Sequence, residues 1–154
     1  MITDNSGVIA FGDVSGKGAA AALYGALLSG LLRILGPRRK SPAVLMRSLN
    51  ETLLERRVGA QYATLTVAFW QPRERLLKMA NAGGCLPLIW RKGEVIKPRV
   101  EGVPIGLLED LEYEELDIVL EPGDLVMLYS DGVEDQTDPA GLEFSRARVV
   151  KLLK

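Results

Sequence analysis

Two short stretches combine residues that could do chemistry. "FGDVSGKG" sets Asp13 among glycines after an apolar run, and "LYSDGVED" sets Asp131 between Ser130 and Gly132 after another. A carboxylate at a strand end, beside a glycine that permits a sharp turn, can aim its oxygens at one point together with nearby carbonyls. Hard divalent cations want such donors. Other readings stand beside this one. Asp13 also reads as a cap of the following turn or helix, Asp-Gly occurs in ordinary turns, and glycines with a lysine before an apolar helix suggest a phosphate-binding loop.

The phosphate loop fits poorly. G-x-x-x-x-G-K-[ST] needs one residue more than lies between Gly12 and Gly16, and Lys17 is followed by Gly18 where a hydroxyl should help hold magnesium. Asp13 would also repel a bound phosphate. The metal reading gains when both aspartates are taken together, because two converging carboxylates repel unless cations bridge them. The sequence has no histidine. Serine–histidine and cysteine–histidine nucleophiles are therefore excluded, as are histidine metal sites. Any metal must be held by oxygen, which suits magnesium, manganese or calcium.

These residues need elements to position them. Val8 to Phe11 reads as a buried strand. Gly18 to about Leu35 reads as a helix with Leu23, Leu27, Leu31 and Ile34 on one face, stopped by Gly36-Pro37. Arg33 cuts its apolar run short of a membrane span, so a buried helix is expected. Ser41 and Pro42 start a second helix as N-cap and first residue. Its stripe is Leu45, Met46, Leu49 and Leu53, and Gly59 ends it. From Gln61 the texture turns to strands: Gln61–Trp70, Leu76–Ala80, a hairpin of Leu86–Arg91 and Glu94–Lys97 about Lys92-Gly93, then Glu115–Leu120 and Leu125–Tyr129 joined by "EPGD". Val103–Leu108 is a loop, and Ser145–Lys154 a last helix. Strands segregated from helices mean an α+β fold with antiparallel sheet packed on helices.

The 154 residues suit one domain with a core that needs no disulfide. Nineteen basic and twenty acidic residues give a net charge of -1, with no field to favour nucleic acid. Arg38-Arg39-Lys40 reads as a solvated turn. Cys85 is the single cysteine, which fits a reducing cytoplasm; it reads as a small buried or loop residue. Trp70 and Trp90 read as sheet packing. The start "MITDNSGV" lacks the pattern of a signal peptide.

The chain resembles the metal-dependent PPM (protein phosphatase 2C-like) serine/threonine phosphatases, in the bacterial branch of stage II sporulation protein E and the sigma-factor regulatory phosphatases. "GDVSGKG" at 12–18, "ANAGGCLPLIW" at 80–90, "GVPIGLLED" at 102–110 and "LEPGDLVMLYSDGVED" at 120–135 carry the resemblance, in order along nearly the whole chain. It implies two packed antiparallel β-sheets flanked by helices, an α/β/β/α sandwich, with a two-metal Mn²⁺ or Mg²⁺ site at one edge. It implies hydrolysis of phosphoserine or phosphothreonine by metal-activated water, on a phosphorylated anti-anti-sigma-factor-like protein. Asp13 would bridge the metals, the backbone carbonyl of Val14 would bind one, and Asp131 another. Lys17 is left with two roles, meeting substrate phosphate or standing in solvent.

The chain departs from the family pattern. Only a short segment precedes Gly12, where the family carries an aspartate-rich motif, and Asp4 stands there alone. Gly84 replaces the usual histidine, and Lys154 falls inside the last helix, before the family's final strand. Residues 1–154 are thus expected to be a single PPM-type domain lacking its usual terminal strands. Fewer carboxylates predict weak metal binding and weak or no activity. Open sheet edges predict a homodimer. A second reading keeps the fold without catalysis, as a binding module in a regulatory switch. No membrane or nucleic-acid partner is expected.

Overall fold

The computed structural model describes residues 2–3, 6–56 and 61–154. Asp4 and Gly59 lie outside them. The strands are β1 (Ile2–Thr3), β2 (Ser6–Val14), β3 (Ala63–Gln71), β4 (Leu76–Ala82), β5 (Leu88–Arg91), β6 (Glu94–Ile96), β7 (Leu116–Val119) and β8 (Leu125–Met127). The helices are α1 (Gly18–Leu35), α2 (Pro42–Arg56), α3 (Asp131–Glu134) and α4 (Ser145–Leu152). A five-stranded antiparallel sheet runs β1-β2-β3-β4-β7, and a three-stranded one β6-β5-β8.

Strand alternation decides the layers. On β3, Ala63, Leu65 and Val67 face α1 and α2, where they meet Tyr24, Leu45, Met46, Leu49 and Leu53. Ala68 points the other way and joins Leu77 and Met79 in a core shared with Val126 and Leu128, so the two sheets pack face to face. Beyond the second sheet, Leu88 and Tyr129 pack on Val149 and Val150 of α4. The order is helix, sheet, sheet, helix, as the resemblance implies.

The second helix behaves as its sequence predicts. Its stripe is fully buried, and Ser41 Oγ accepts a hydrogen bond from the N–H of Val44 at 3.4 Å. The carboxylate of Glu115, just before β7, accepts from the N–H of Ala43 at 2.9 Å and complements the helix start. The first helix does not. Leu23 is 68% and Ile34 55% exposed, while Tyr24 and Leu28 are its buried residues. It lies on the surface of the five-stranded sheet, and Tyr24 and Leu28 face that sheet one turn apart. Despite Arg33, the run Gly18–Arg38, with mean hydropathy 1.6, is long and apolar enough to cross a membrane by length and composition.

Two turns set the second sheet. Lys92 and Gly93 both take positive φ, 49° and 89°, and close the expected β5–β6 hairpin. The turn at 121–124 leaves β7 on one sheet and enters β8 on the other. Arg91 of β5 clasps it, donating from Nε to Asp124 at 3.0 Å and from Nη2 to the carbonyl of Val119 at 2.8 Å.

Candidate metal centre

Asp13 and Asp131, 118 positions apart by subtraction of their numbers, line one cleft at the end of the two sheets. The cleft is small, about 60 Å³ to the centre of a water-sized sphere. Asp13 is on β2, Thr64 and Thr66 on β3, Gly83 to Cys85 follow β4, and Tyr129 to Asp131 follow β8.

The wall that carries Asp13 is a backbone ladder. Asp13 pairs with Thr64 and Val14 with Ala63. Asp13 therefore sits within the strand, not in a turn after it, because β2 continues to Val14. Gly12 has no room for a side chain, since a Cβ there would collide with the carbonyl oxygen of Thr64. Gly16 and Gly18, with φ of 87° and 79°, then turn the chain into α1 in a conformation that favours glycine. Asp13 does not cap that helix. Its Oδ1 accepts from the N–H of Val14 at 3.0 Å, while Lys17 holds the N-cap position without a side-chain cap bond. Ala63 gives its N–H and C=O to Ile105 at 3.0 and 2.9 Å, so the Val14 carbonyl faces the outer side of β2. Neither Val14 nor Lys17 is among the cleft-lining residues, and Lys17 is exposed.

The floor is fixed by a buried amide. Asn81 is 2% exposed and Thr66 3%. Asn81 Oδ1 accepts from the N–H of Gly84 at 3.0 Å and from Thr66 Oγ1 at 3.2 Å, and its Nδ2 donates to the Gly84 carbonyl at 2.9 Å. The Asn-Ala-Gly-Gly stretch is thus a pinned turn. Gly84, at the position where the resemblance leads one to expect histidine, supplies backbone alone. Another buried amide, Asn50, holds the Val103–Leu108 loop by accepting from Gly106 N–H at 2.7 Å and donating to the Leu108 carbonyl at 2.9 Å. That loop braces β3 and does not line the cleft.

The opposite wall is short. β8 ends at Met127, and Asp131 opens the one-turn helix α3. Tyr129 is buried, donates its hydroxyl to Glu134 Oε1 at 2.6 Å and accepts from Arg146 Nη1 at 3.0 Å. Burial first, then that bond to Glu134, pushes the Tyr129 phenol well up. Cys85 lines the cleft half-buried. Burial, then the negative charges of Glu134 and Asp131, raise its thiol, with Arg146 opposing. The cleft is accordingly negative in character and holds no activated thiolate.

The donors suit a hard divalent cation in kind: two exposed aspartates line one cleft, and among the described residues no lysine or arginine forms a salt bridge with either. In number they are sparse, for among the described residues no three acidic, histidine or cysteine side chains gather as a metal cluster. Sequence reasoning found both aspartates and missed Thr64, Thr66 and Tyr129. The signal available was β3's alternation, which puts the threonines opposite the helix-facing residues. It also read Cys85 as an ordinary buried or loop residue, without placing it in the cleft.

Comparison with known proteins agrees with this fold. Residues 3–154 match the profile of the family described as Stage II sporulation protein E (SpoIIE). Phosphoserine phosphatase RsbU of Bacillus subtilis (strain 168) is 27% identical over 138 residues, which cover 88% of this chain and 41% of RsbU. The chain therefore spans about two fifths of that relative's length. Solved structures share the fold. The RsbU and RsbW domains of Rv1364c from Mycobacterium tuberculosis superpose with a TM-score of 0.82 at 20% identity, covering 96% of this chain and 41% of that one. The PP2C phosphatase domain of SpoIIE from Bacillus subtilis, with a fragment of its regulatory domain, gives 0.80 at 22%, covering 96% and 43%. The catalytic domain of the serine/threonine phosphatase PstP, in complex with two manganese ions, gives 0.67 at 15%, covering 99% and 86%.

Proposed function

The chain belongs to the Stage II sporulation protein E family, and from that premise we propose that it is a metal-dependent phosphoprotein phosphatase domain. The substrate is phosphoserine or phosphothreonine on an anti-anti-sigma-factor-like regulator, in the cytoplasm. One observation carries the reading: Asp13 and Asp131 line a single cleft. The relatives are PP2C-type phosphatases, and one structural neighbour joins an RsbU domain to an RsbW domain, which supports a regulatory protein as partner.

Asp13 and Asp131 would hold Mn²⁺ or Mg²⁺, and the Val14 carbonyl, which faces the outer side of β2 and does not line the cleft, would serve an ion only at that outer side. Bound there, such ions would polarise a phosphoryl oxygen and lower the pKa of a water. The chain's own contribution is positional. The β2–β3 ladder fixes one carboxylate, the Asn81 turn keeps the floor open, and Ser130 and Thr64 offer hydroxyls along the walls. Lys17 would reach substrate phosphate only from the rim. We read residues 1–154 as one domain of this fold. A second copy would pair on the outer side of β2 from Ile9 to Gly12, where no described strand is bonded, Ile9 and Phe11 are exposed, and the residues carry no charge. Ile9→Lys should turn such a dimer, read by light scattering, into monomer; a dimer that persists unchanged would contradict this.

The sparse carboxylate set favours a second reading, a non-catalytic binding module of the same fold. Phosphate release from a phosphoserine peptide, with Mn²⁺ and with EDTA, separates them. The phosphatase reading expects slow, Mn²⁺-dependent release that disappears in Asp131→Asn. No release at saturating Mn²⁺ from a folded chain would leave the binding module.

A further inference from the structure

Helix α3 has four residues and cannot hold itself in place. Its N-cap, Ser130, makes no side-chain cap bond. Its backbone bonds are those of a single turn, Val133 N–H to the Ser130 carbonyl at 3.1 Å and Asp135 N–H to the Asp131 carbonyl at 2.8 Å. Yet Asp131, its first residue, forms part of the cleft. Something outside the helix must fix it.

We propose that Tyr129, Glu134 and Arg146 form a pin that holds Asp131 at the cleft, and that Glu134 is a positioning residue and not a further cation ligand. The Tyr129 ring, 5% exposed, is anchored among Leu88, Val149 and Val150. Its hydroxyl takes a hydrogen bond from Arg146 of α4 and gives one to Glu134 at the last position of α3. The single phenol oxygen thus ties α3 to α4, and α4 is tied to the second sheet by its buried valines. Glu134 is half-buried, with its carboxylate bound at 2.6 Å to a hydroxyl rooted in the core. A group so held orients its helix, and Asp131 lies one turn away on that helix. The inference rests on the reading that Asp131 takes a divalent ion, and its test has a branch independent of that reading.

The test uses the full chain, with Mn²⁺ titrated calorimetrically well below the melting temperature, and amide hydrogen exchange followed without metal. Tyr129→Phe and Glu134→Ala should weaken Mn²⁺ binding about tenfold, the scale of lost support for a ligand. Both should also speed exchange at Val133 and Asp135 and leave β3 and β4 unchanged. Glu134→Gln keeps an oxygen that can accept from Tyr129, so it should bind Mn²⁺ within about twofold of the original chain. Original affinity in Tyr129→Phe would overturn the proposal, whatever the exchange shows. So would a loss in Glu134→Gln as large as that in Asp131→Asn, which would make Glu134 a ligand. If the unaltered chain binds no Mn²⁺, the metal reading fails. Exchange then decides the pin alone: faster exchange at Val133 and Asp135 upholds it, and unchanged exchange overturns it.

Discussion

Asp13 stands on a nine-residue strand bonded along its length to β3, whereas Asp131 opens a four-residue helix beyond a three-residue strand. On the first wall the backbone ladder does the positioning and an apolar core of two helices backs it. On the second wall a phenol, a carboxylate and a guanidinium do it. The cleft thus joins a rigid carboxylate to one whose place depends on a few side-chain bonds. Local opening is cheapest where backbone bonds and buried contacts are few. The second wall should therefore yield first, and changes there should alter ion binding more than global stability.

The largest expected effect breaks the first wall. Leu49 of α2 is fully buried against the five-stranded sheet, so Leu49→Ala should cost about 2–5 kcal/mol in denaturant unfolding. A loss under ~1 kcal/mol would mean that this core does not carry the wall. Asn81→Ala comes next. It strips the Gly84 N–H of its acceptor inside the floor and should cost about 1–3 kcal/mol, with exchange at Gly84 rising before that of β3. Unchanged exchange there would show that the turn holds without its amide.

The smallest effect belongs to the turn that feeds the second wall. The hydrogen bond from Arg91 holds the Asp124 carboxyl below its usual 3.8. A carboxyl lowered in the fold stabilises it above the unfolded value and loses that contribution as pH falls through the folded value. Asp124→Asn should therefore melt below the unaltered protein at pH 7, and the gap should shrink as pH drops beneath 3.8. A gap that stays constant to acid pH would remove the ion pair as its cause.

Much of this was legible in the sequence because it depends on local pattern. The stripe of α2 and the Lys92-Gly93 hairpin follow from spacing and turn chemistry, and the two aspartates stand out beside glycines after apolar runs, although Asp13 lies within β2 and not in a turn. What escaped was set by distant partners. Leu23 and Ile34 fit a helical face as well as Tyr24 and Leu28 do, and only the sheet's position selects the latter pair. The turn at 121–124 looks like any connection between strands, but Arg91, 33 positions from Asp124, helps carry it from one sheet to the other. Tyr129 reads as a strand residue until α4 brings Arg146 to its hydroxyl. Gly84 conceals its role because only its backbone is used.

Crystals of the chain soaked in Mn²⁺ and measured at the manganese absorption edge would test the shared ion most directly. An anomalous peak within coordination distance of both Asp13 and Asp131 carboxylates is the predicted result. A fully occupied manganese elsewhere, with the space between those two side chains blank, would contradict it.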